Sequence, residues 1–460
     1  MKRNYILKTL YLAAICVFIS SCEEFVKIDP PRTDLIKATV FEGDATTIAA
    51  MTDIYYQMST TGFASGNAVS VSFLASLSSD ETINYFKSGV IGEAQQFNDN
   101  KLAATNSELN TNLWILPYTC IYRANAILEG LASSNGVSEN LKNQCEGEAK
   151  FIRAFCHFYL VNLFGDVPLV TTTDYRVNSN LGRAKTDDVY KQIIQDLTDA
   201  QGLLTDDFSF SKGERVRANK GAATALLARA CLYHSDWVNA EAQATTMIND
   251  SGLYSLLSDL TTVFVKNNAE AILQFSNVYY PNDLFTFYGF TAPPFNCALR
   301  SQFVDSFESG DNRRLNWIGS VTGDSTYYFP TKYHSFVSEA EYSTVLRLAE
   351  QYLIRAEARA QQNNIAGAQA DINAIRNRAG LGNTAAGDQA SLLTAIAQER
   401  KAELFTEWGH RWLDLKRTGQ VDMVLSPLKS GWKSTAALYP IPQDQLLNDP
   451  AMTGAQNSGY

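Results

Sequence analysis

The residue types that carry most catalytic chemistry are scattered along this 460-residue chain. Its four histidines belong to no His-Glu-x-x-His motif and adjoin no cysteine pair: they are His157, His234, His334 and His410. A zinc site needs several such ligands at short, fixed spacings, and we find no Gly-x-Ser-x-Gly elbow or phosphate-binding glycine loop either. The 48 acidic residues make carboxylate pairs inevitable and therefore uninformative. We predict no catalytic residue, no metal, no cofactor and no enzymatic activity.

A segment from Leu253 to Tyr342 offers binding chemistry instead, since it is dense in aromatic residues, punctuated by prolines and poor in helical periodicity. Long irregular segments inside a compact domain are usually functional. Flat aromatic faces stack against pyranose rings, while amides, carboxylates and guanidinium groups orient the sugar hydroxyls. The predicted ligand-binding residues are Trp317, Tyr279, Tyr280, Tyr327, Tyr328, Tyr85, Phe86, Asp80 and Arg313. Among them Trp317, which adjoins Asn316, is the predicted main platform.

Each of these residues also has a structural interpretation that the sequence leaves open. Any one of the aromatic side chains can pack in the core instead of facing a ligand. Asp311, Arg313 and Arg314 either brace the loops or bind ligand hydroxyls. Six further charged residues have three- and four-residue spacings that suit salt bridges along and between helices: Glu399, Arg400, Glu403, Glu407, Arg411 and Asp414. His157, on the narrow polar stripe of an apolar helix, is interpreted as a hydrogen-bonded core histidine.

The rest of the chain is expected to pack around a helix within residues 148–170, EAKFIRAFCHFYLVNLFGDVPLV. Its apolar residues cover most of its circumference, which is typical of a helix buried on several sides. Gly165 and Pro168 end it sharply. Helical periodicity predicts helices at about 44–58, 111–131, 139–164, 186–204, 218–234, 236–250, 345–362, 365–378 and 391–407. Residues 60–110 are predicted to be mostly loop.

Small residues recur in the predicted helices, for example Ala222, Ala225 and Ala228 within 218–234. Such residues allow two helices to approach closely, as in the helix pairs of tetratricopeptide (TPR) repeats. No strict repeat consensus recurs, which leaves an alanine-rich helical bundle as the alternative. We predict a mainly α fold of TPR-like helix pairs with a loop-rich, irregular ligand-binding half.

Residues 1–21 are predicted to be a lipoprotein signal peptide. Basic residues precede an apolar run from Leu10 to Ile19, which is far shorter than the roughly 20 residues that a membrane-spanning helix needs. The aliphatic and small residues at 19–21 lead to Cys22 as in a bacterial lipobox, so Cys22 is the predicted site of lipidation by palmitate-type acyl chains. The two glutamates after Cys22 resemble the export signal of Bacteroidetes-type surface lipoproteins. The expected location is the outer membrane, lipid-anchored and facing the cell exterior.

The charge of the chain bears on its partners. There are 38 basic and 48 acidic residues, a formal net charge of −10, and no block of Lys and Arg that would neutralise phosphates. Nucleic acid is therefore excluded as an expected partner. An acidic surface also argues against binding anionic polymers through simple charge.

Several segments together resemble the SusD/RagB family of outer-membrane nutrient-binding lipoproteins, in the family's order and across nearly the whole mature chain. They are the lipobox at Cys22, Trp114 with Tyr118 and RAN at 123–125, EAKFIRA at 148–154, LFGDVPL at 163–169, ANKGAATALLAR at 218–229 with Asp236-Trp237, LRLAE at 346–350 with AEA at 356–358, IRNRAG at 375–380, Glu399-Arg400 through RWLDL at 411–415, and PIP at 440–442. Each motif is short, and their joint occurrence carries the resemblance.

The resemblance implies one SusD-like domain over 22–460, with an N-terminal region at about 23–215 and a C-terminal SusD/RagB region at about 260–460. It implies about four TPR-like helix pairs in an α-α superhelix that supports the ligand site. Family members sit as a lid on a TonB-dependent transporter of the SusC type and deliver glycans, or in some cases peptides, to it. The expected function is a surface lipoprotein that binds an oligo- or polysaccharide and delivers it to such a transporter. A peptide-capturing RagB-like lid and a TPR-like protein-interaction scaffold are the alternatives.

Overall fold

The structure is a computed structural model that describes residues 37–85, 93–276, 297–335, 337 and 340–460. The predicted signal peptide and the lipidation site at Cys22 lie outside these residues. Within the described ranges, no helix is both long enough and apolar enough to cross a membrane.

The helices of the N-terminal half are α1 (Lys37–Val40), α2 (Asp44–Thr60), α3 (Val71–Ser78), α4 (Ala94–Asn98), α5 (Leu116–Ser133), α6 (Glu139–Phe164), α7 (Tyr175–Asn178), α8 (Thr186–Leu203), α9 (Lys220–Tyr233) and α10 (Trp237–Asn249). Those of the C-terminal half are α11 (Ser301–Val304), α12 (Asn312–Asn316), α13 (Leu348–Gln361), α14 (Ile365–Arg378), α15 (Gln389–Glu403), α16 (His410–Arg417), α17 (Val421–Leu425) and α18 (Gln443–Asn448). The strands are β1 (Thr82–Asn84), β2 (Ala271–Phe275), β3 (Cys297–Leu299), β4 (Ile318–Thr322), β5 (Thr326–Pro330) and β6 (Ser343–Arg347).

Eight of the longer helices form the scaffold, in which each packs against the next: α5, α6, α8, α9, α10, α13, α14 and α15. This series amounts to four successive helix pairs. Ala222, Ala225 and Ala228 of α9 are fully buried, so the helix axes can approach closely there. The predicted mainly α fold with TPR-like helix pairs is confirmed.

Helix α6 is the helix expected at the centre of the fold, and it packs against both α5 and α8. Every residue from 151 to 161 is buried. Gly165 ends the helix with a φ of 75°, a conformation that side chains other than glycine's rarely adopt. The backbone N–H of Tyr439 donates to the Leu163 carbonyl oxygen at 2.9 Å, which ties the C-terminal segment to the end of α6.

The longer helices follow the sequence prediction more closely than the short ones, and α15 and α3 show two reasons for the differences. Helix α15 ends at Glu403 rather than at residue 407, because Thr406 and Trp408 have φ values of 56° and 48° that no right-handed helix contains. Helix α3 lies where a loop was predicted. All eight of its residues are buried, so no polar face marked it as a helix.

The aromatic segment at 253–342 is not irregular throughout, because it contains strands of two antiparallel sheets. One sheet has the strand order β1-β3-β5-β4, and the other pairs β2 with β6. Strands β2 and β3 are buried along their whole length. They therefore lack the alternation of polar and apolar residues by which a half-buried strand is recognised.

A buried ion network joins the C-terminal helices to the strands. Arg347, at the end of β6, meets carboxylate oxygens of Glu403 at 2.5 Å, Glu407 at 2.8 Å and Glu270 at 3.1 Å. Arg378 of α14 pairs with Glu270 and Glu403 as well. Burial raises the pKa of Glu403, but the neighbouring guanidinium groups outweigh it and hold that pKa well below its ordinary value. The predicted salt bridges between helices are present.

Replacing Glu403 with glutamine is expected to lower the free energy of unfolding by about 3 kcal/mol, because it leaves buried guanidinium charge without its partner. Urea unfolding of the variant measures this. Glu241→Gln is the control, since Glu241 pairs with Arg359 nearer the surface and its loss is expected to cost less than about 1 kcal/mol. Equal losses in the two variants would contradict the assignment of the network as a stabilising centre.

His157 is the core histidine that the sequence predicted. It is fully buried, and its Nδ1 lies 3.1 Å from the Arg153 carbonyl oxygen. Burial, together with the charge of Arg153, lowers the pKa of His157 to about 3. The ring therefore stays neutral in the folded chain at any pH where the protein is expected to work.

The pKa of His157 gives a pH dependence with a definite sign. The unfolded chain protonates this ring below about pH 6.5, while the folded chain does not until about pH 3. Its contribution to stability is thus complete above pH 6.5 and is lost as the pH falls towards 3. We expect His157→Ala to be less stable than the parent at pH 7.5, and to lose less stability than the parent between pH 7 and 5. Parallel urea titrations test this, and unequal ligand affinities of the two folded proteins would show a functional role instead.

Candidate functional site

The small sheet brings together two ends of chain that are far apart in sequence. Strands β1 and β3 are antiparallel, and Asn84 pairs with Cys297 at the end of their ladder. Tyr85 follows Asn84 directly. In the sequence, residue 86 directly follows Tyr85 and residue 296 directly precedes Cys297. The predicted site residues Phe86, Tyr279 and Tyr280 lie outside the described residues.

Tyr85 and Tyr327 meet at this edge, and we call them the tyrosine pair. Their ring centroids are 5.4 Å apart with an interplanar angle of 79°, an edge-to-face contact. Tyr85 is 38% exposed, whereas Tyr327 is mostly buried beneath it. The Tyr327 hydroxyl donates to Oδ1 of Asp324 at 2.9 Å. Partial burial raises the pKa of Tyr85, so its hydroxyl remains a hydrogen-bond donor at neutral pH.

Tyr328 stands apart from the tyrosine pair. Successive side chains of a strand point to opposite faces, so Tyr328 lies on the face of β5 opposite to Tyr327. The Arg314 guanidinium lies 5.2 Å from the centre of its ring. Tyr328 is half-buried beside this cation–π contact. The predicted aromatic platform is therefore divided between two faces.

Trp317 is not a platform, so that prediction is wrong. Its ring is 1% exposed and packs against Phe264, with a centroid separation of 5.6 Å. The indole Nε1 donates to the Leu260 carbonyl oxygen at 2.9 Å, and the Lys332 ammonium lies 4.9 Å from the ring. All parts of the ring that a sugar would contact are occupied by the protein.

Arg313 and Asp80 are structural as well, which corrects their predicted roles in ligand binding. Arg313 is 1% exposed and pairs with Asp311, Glu399 and Glu403, so the bracing interpretation of its loop is the right one.

Asp80 accepts two hydrogen bonds from Arg411, at 2.7 and 3.0 Å. Burial raises the pKa of Asp80, but Arg411 and Lys401 together bring it below its ordinary value. Asp80 therefore anchors the segment before β1 as a charged carboxylate.

Sequence reasoning missed Asp324, which lies in the turn between β4 and β5. The turn closes through a hydrogen bond from the Gly323 N–H to the Ser325 carbonyl oxygen at 2.9 Å. The signal was present, since Gly-Asp between two runs rich in β-branched and aromatic residues is typical of a hairpin turn. A hairpin places Asp324 near Tyr327, where its carboxylate orients the hydroxyl of the tyrosine pair.

A second aromatic surface lies on the helical scaffold, where a cavity of about 350 Å³ is lined by Trp114, Tyr118 and Tyr122. We call it the Trp114 cleft. Trp114 Nε1 donates to Oε1 of Gln445 at 3.2 Å, and Tyr118 donates to the Pro168 carbonyl oxygen at 2.9 Å. Tyr122 is 52% exposed. The first two rings are thus held in place, and only Tyr122 offers a wide open face.

Taken together, a helical-repeat scaffold supports a small sheet whose edge presents the tyrosine pair. This arrangement defines a ligand-binding protein of the TPR-like class. A family model described as starch-binding and associating with the outer membrane matches residues 45–232, and a model of the SusD family matches residues 301–460. The two matches cover about three quarters of the chain. The chain belongs to the SusD/RagB family.

Individual relatives agree with this placement. SusD-like protein P25 of Formosa agariphila is 26% identical over 549 aligned positions, which span 100% of both chains. A solved structure of a laminarin-binding SusD-like protein is 27% identical, with a TM-score of 0.75 over 91% of this chain and 100% of that one. A SusD-like protein from Bacteroides fragilis is 20% identical, with a TM-score of 0.78 over 92% of this chain and 98% of that one, and supports the fold alone.

Proposed function

We propose that this chain is a surface lipoprotein that binds an oligo- or polysaccharide at the tyrosine pair and delivers it to a TonB-dependent transporter of the SusC type. The observation that carries the proposal is the exposed ring of Tyr85, fixed edge-to-face on Tyr327 at the edge of the small sheet. The predicted site residues Phe86, Tyr279 and Tyr280 lie outside the described residues and remain part of the proposal.

The chemistry of this edge suits a saccharide. A tyrosine ring offers an apolar face for the C–H side of a pyranose and a hydroxyl for its polar rim. Tyr327 fixes the orientation of Tyr85, so little side-chain freedom is lost when a ligand stacks. Among the similar solved structures, the protein at 27% identity is a laminarin-binding one. A glycan is therefore the cargo that the geometry and the relatives favour.

The remaining parts of the proposal are supported by the sequence and by the family. The lipobox ending at Cys22 supports a lipid anchor, and the family description supports association with the outer membrane. The proposed role is capture and delivery without catalysis, by a single domain over residues 22–460. The partner barrel follows from the family resemblance.

A peptide cargo is the second candidate, and the Trp114 cleft is the observation that favours it. Its wall is apolar and carries the exposed side chains of Tyr122 and Ile115, which are 52% and 47% exposed. The Trp114 cleft is therefore a better binding surface for an extended peptide or a partner protein than the tyrosine pair is. The two candidates thus use different side chains.

Calorimetric titration of the chain produced without residues 1–22, against panels of oligosaccharides and peptides, tests the proposal. We expect glycan binding that Tyr85→Ala weakens about fivefold, since ring stacking contributes on the order of 1 kcal/mol. Tyr56→Ala is the matched control, because Tyr56 is exposed on α2 and is expected to leave the affinity unchanged.

Two further variants complete the test: Trp317→Phe checks the buried ring, and Tyr122→Ala separates the two candidate cargoes. Trp317→Phe is expected to keep full affinity, since its ring is buried away from ligand. Tyr122→Ala is also expected to bind glycan normally. Tight peptide binding that depends on Tyr122, with no response to any glycan, would replace the proposal by peptide capture.

A further inference from the structure

Arg300 is unusual among the buried arginines of the described residues. It directly follows β3 and is only 9% exposed, yet none of the carboxylates that the structure describes lies within ion-pairing distance of it. Its Nη2 makes one long hydrogen bond, 3.4 Å to Oδ1 of Asn98, and its buried Nε has no acceptor in the described ranges. Arg313 and Arg347, by contrast, each meet three carboxylates. A nearly buried guanidinium without an anion lowers the stability of the fold, so we expect an anion from outside the chain to pair with it.

A pocket of about 240 Å³ opens beside Arg300, and we call it the Arg300 pocket. Three of its lining residues are cationic, Arg300, Lys101 and Lys429, and one is acidic, Asp99. Oδ1 of Asp99 already accepts hydrogen bonds from Gln95 and Asn98, at 2.7 and 2.9 Å. The pocket therefore presents more positive charge than its own carboxylate neutralises.

The two lysines of the pocket differ in burial and in hydrogen bonding. The Lys429 ammonium is buried and fixed by three acceptors, the carbonyl oxygens of Leu77 and Ser78 at 2.8 Å and Oδ1 of Asn100 at 2.6 Å. Burial and the charge of Arg300 lower its pKa. Lys101 is exposed at the rim, and its ammonium has no hydrogen bond to any described residue. Lys429 is thus committed to the protein, and Arg300 and Lys101 are the two cationic groups left to meet an anion beside the single carboxylate of Asp99.

The Arg300 pocket adjoins the proposed glycan site. Ile83, which lines it, is two residues before Tyr85 in the chain. Oδ1 of Asn98 accepts hydrogen bonds from the Asn84 N–H at 3.1 Å and from Arg300 Nη2 at 3.4 Å. Because Tyr85 directly follows Asn84, the Arg300 guanidinium lies next to the end of β1 from which Tyr85 extends.

We propose that the Arg300 pocket binds an anionic substituent of the glycan, a carboxylate or a sulfate ester, so that the natural cargo is an acidic saccharide. The inference rests on the proposed glycan-binding function and specifies its substrate class. Guanidinium groups recognise both anions through paired N–H donors. The chain as a whole has a formal net charge of −10, but at physiological ionic strength charges act over only about 8 Å, so the pocket sets the local field.

Calorimetry with matched saccharide pairs tests this proposal. The probes are oligogalacturonides against their methyl esters, and sulfated laminarin against native laminarin. We expect the acidic member of at least one pair to bind tenfold or more tightly than its neutral counterpart. Arg300→Gln is expected to bring this ratio to about one, and Lys101→Gln, at the exposed rim, to reduce it. Lys212→Gln is the control, an exposed lysine in the turn after residues 209–211, and should leave the ratio unchanged.

The outcomes separate this inference from the proposed function. Equal binding of both members of every pair, or a preference that survives in folded Arg300→Gln, overturns the anionic subsite and leaves glycan binding intact. No binding of any member overturns both. Asp283 is the one acidic residue in 86–92 and 277–296. If the acidic preference arises only in Asp283→Asn, that residue is the partner of Arg300 and the inference fails.

Discussion

The interaction on which the rest of the structure depends is the buried pairing of Arg347 with Glu403. Arg347 ends β6, and Glu403 ends α15, so this contact fixes the helical scaffold to the strands. Arg313 and Arg378 join it from α12 and α14. The Arg347 guanidinium also donates to the Glu403 carbonyl oxygen at 2.8 Å, which satisfies the helix end that the turn at 404–409 leaves open. Buried ion pairs fix the relative position of the helices and strands that carry them, because any displacement leaves a buried charge unpaired.

This network explains why most charged motifs of the chain are structural, while the residues available to a ligand lie elsewhere. Charges that are paired within the core have no capacity left for a sugar hydroxyl, as Arg313 and Asp80 show. The tyrosine pair and Arg300 lie in the small sheet, beyond the network. Rigid support beneath these residues favours the pre-organised binding surface that we propose there.

The sequence predicted the scaffold well because burial patterns of long helices are local. The bounds of α6 and α14 match the predicted ones, since apolar periodicity and the residues that end a helix lie within the element itself. The site was less predictable. Trp317 and Tyr85 both lie in aromatic surroundings, and only the tertiary fold decides that the first is enclosed and the second is exposed. The sequence did not single out Arg300, because a missing ion-pair partner can be recognised only in the folded chain. Asp324 was predictable in principle from its hairpin turn.

The most direct measurement of glycan binding at the tyrosine pair is a crystal structure of the protein with a bound oligosaccharide. We expect a sugar ring stacked on Tyr85, at the van der Waals distance of about 4 Å, with Trp317 still enclosed in the core. A saccharide seated in the Trp114 cleft, with the Tyr85 ring in contact with solvent only, would contradict this expectation.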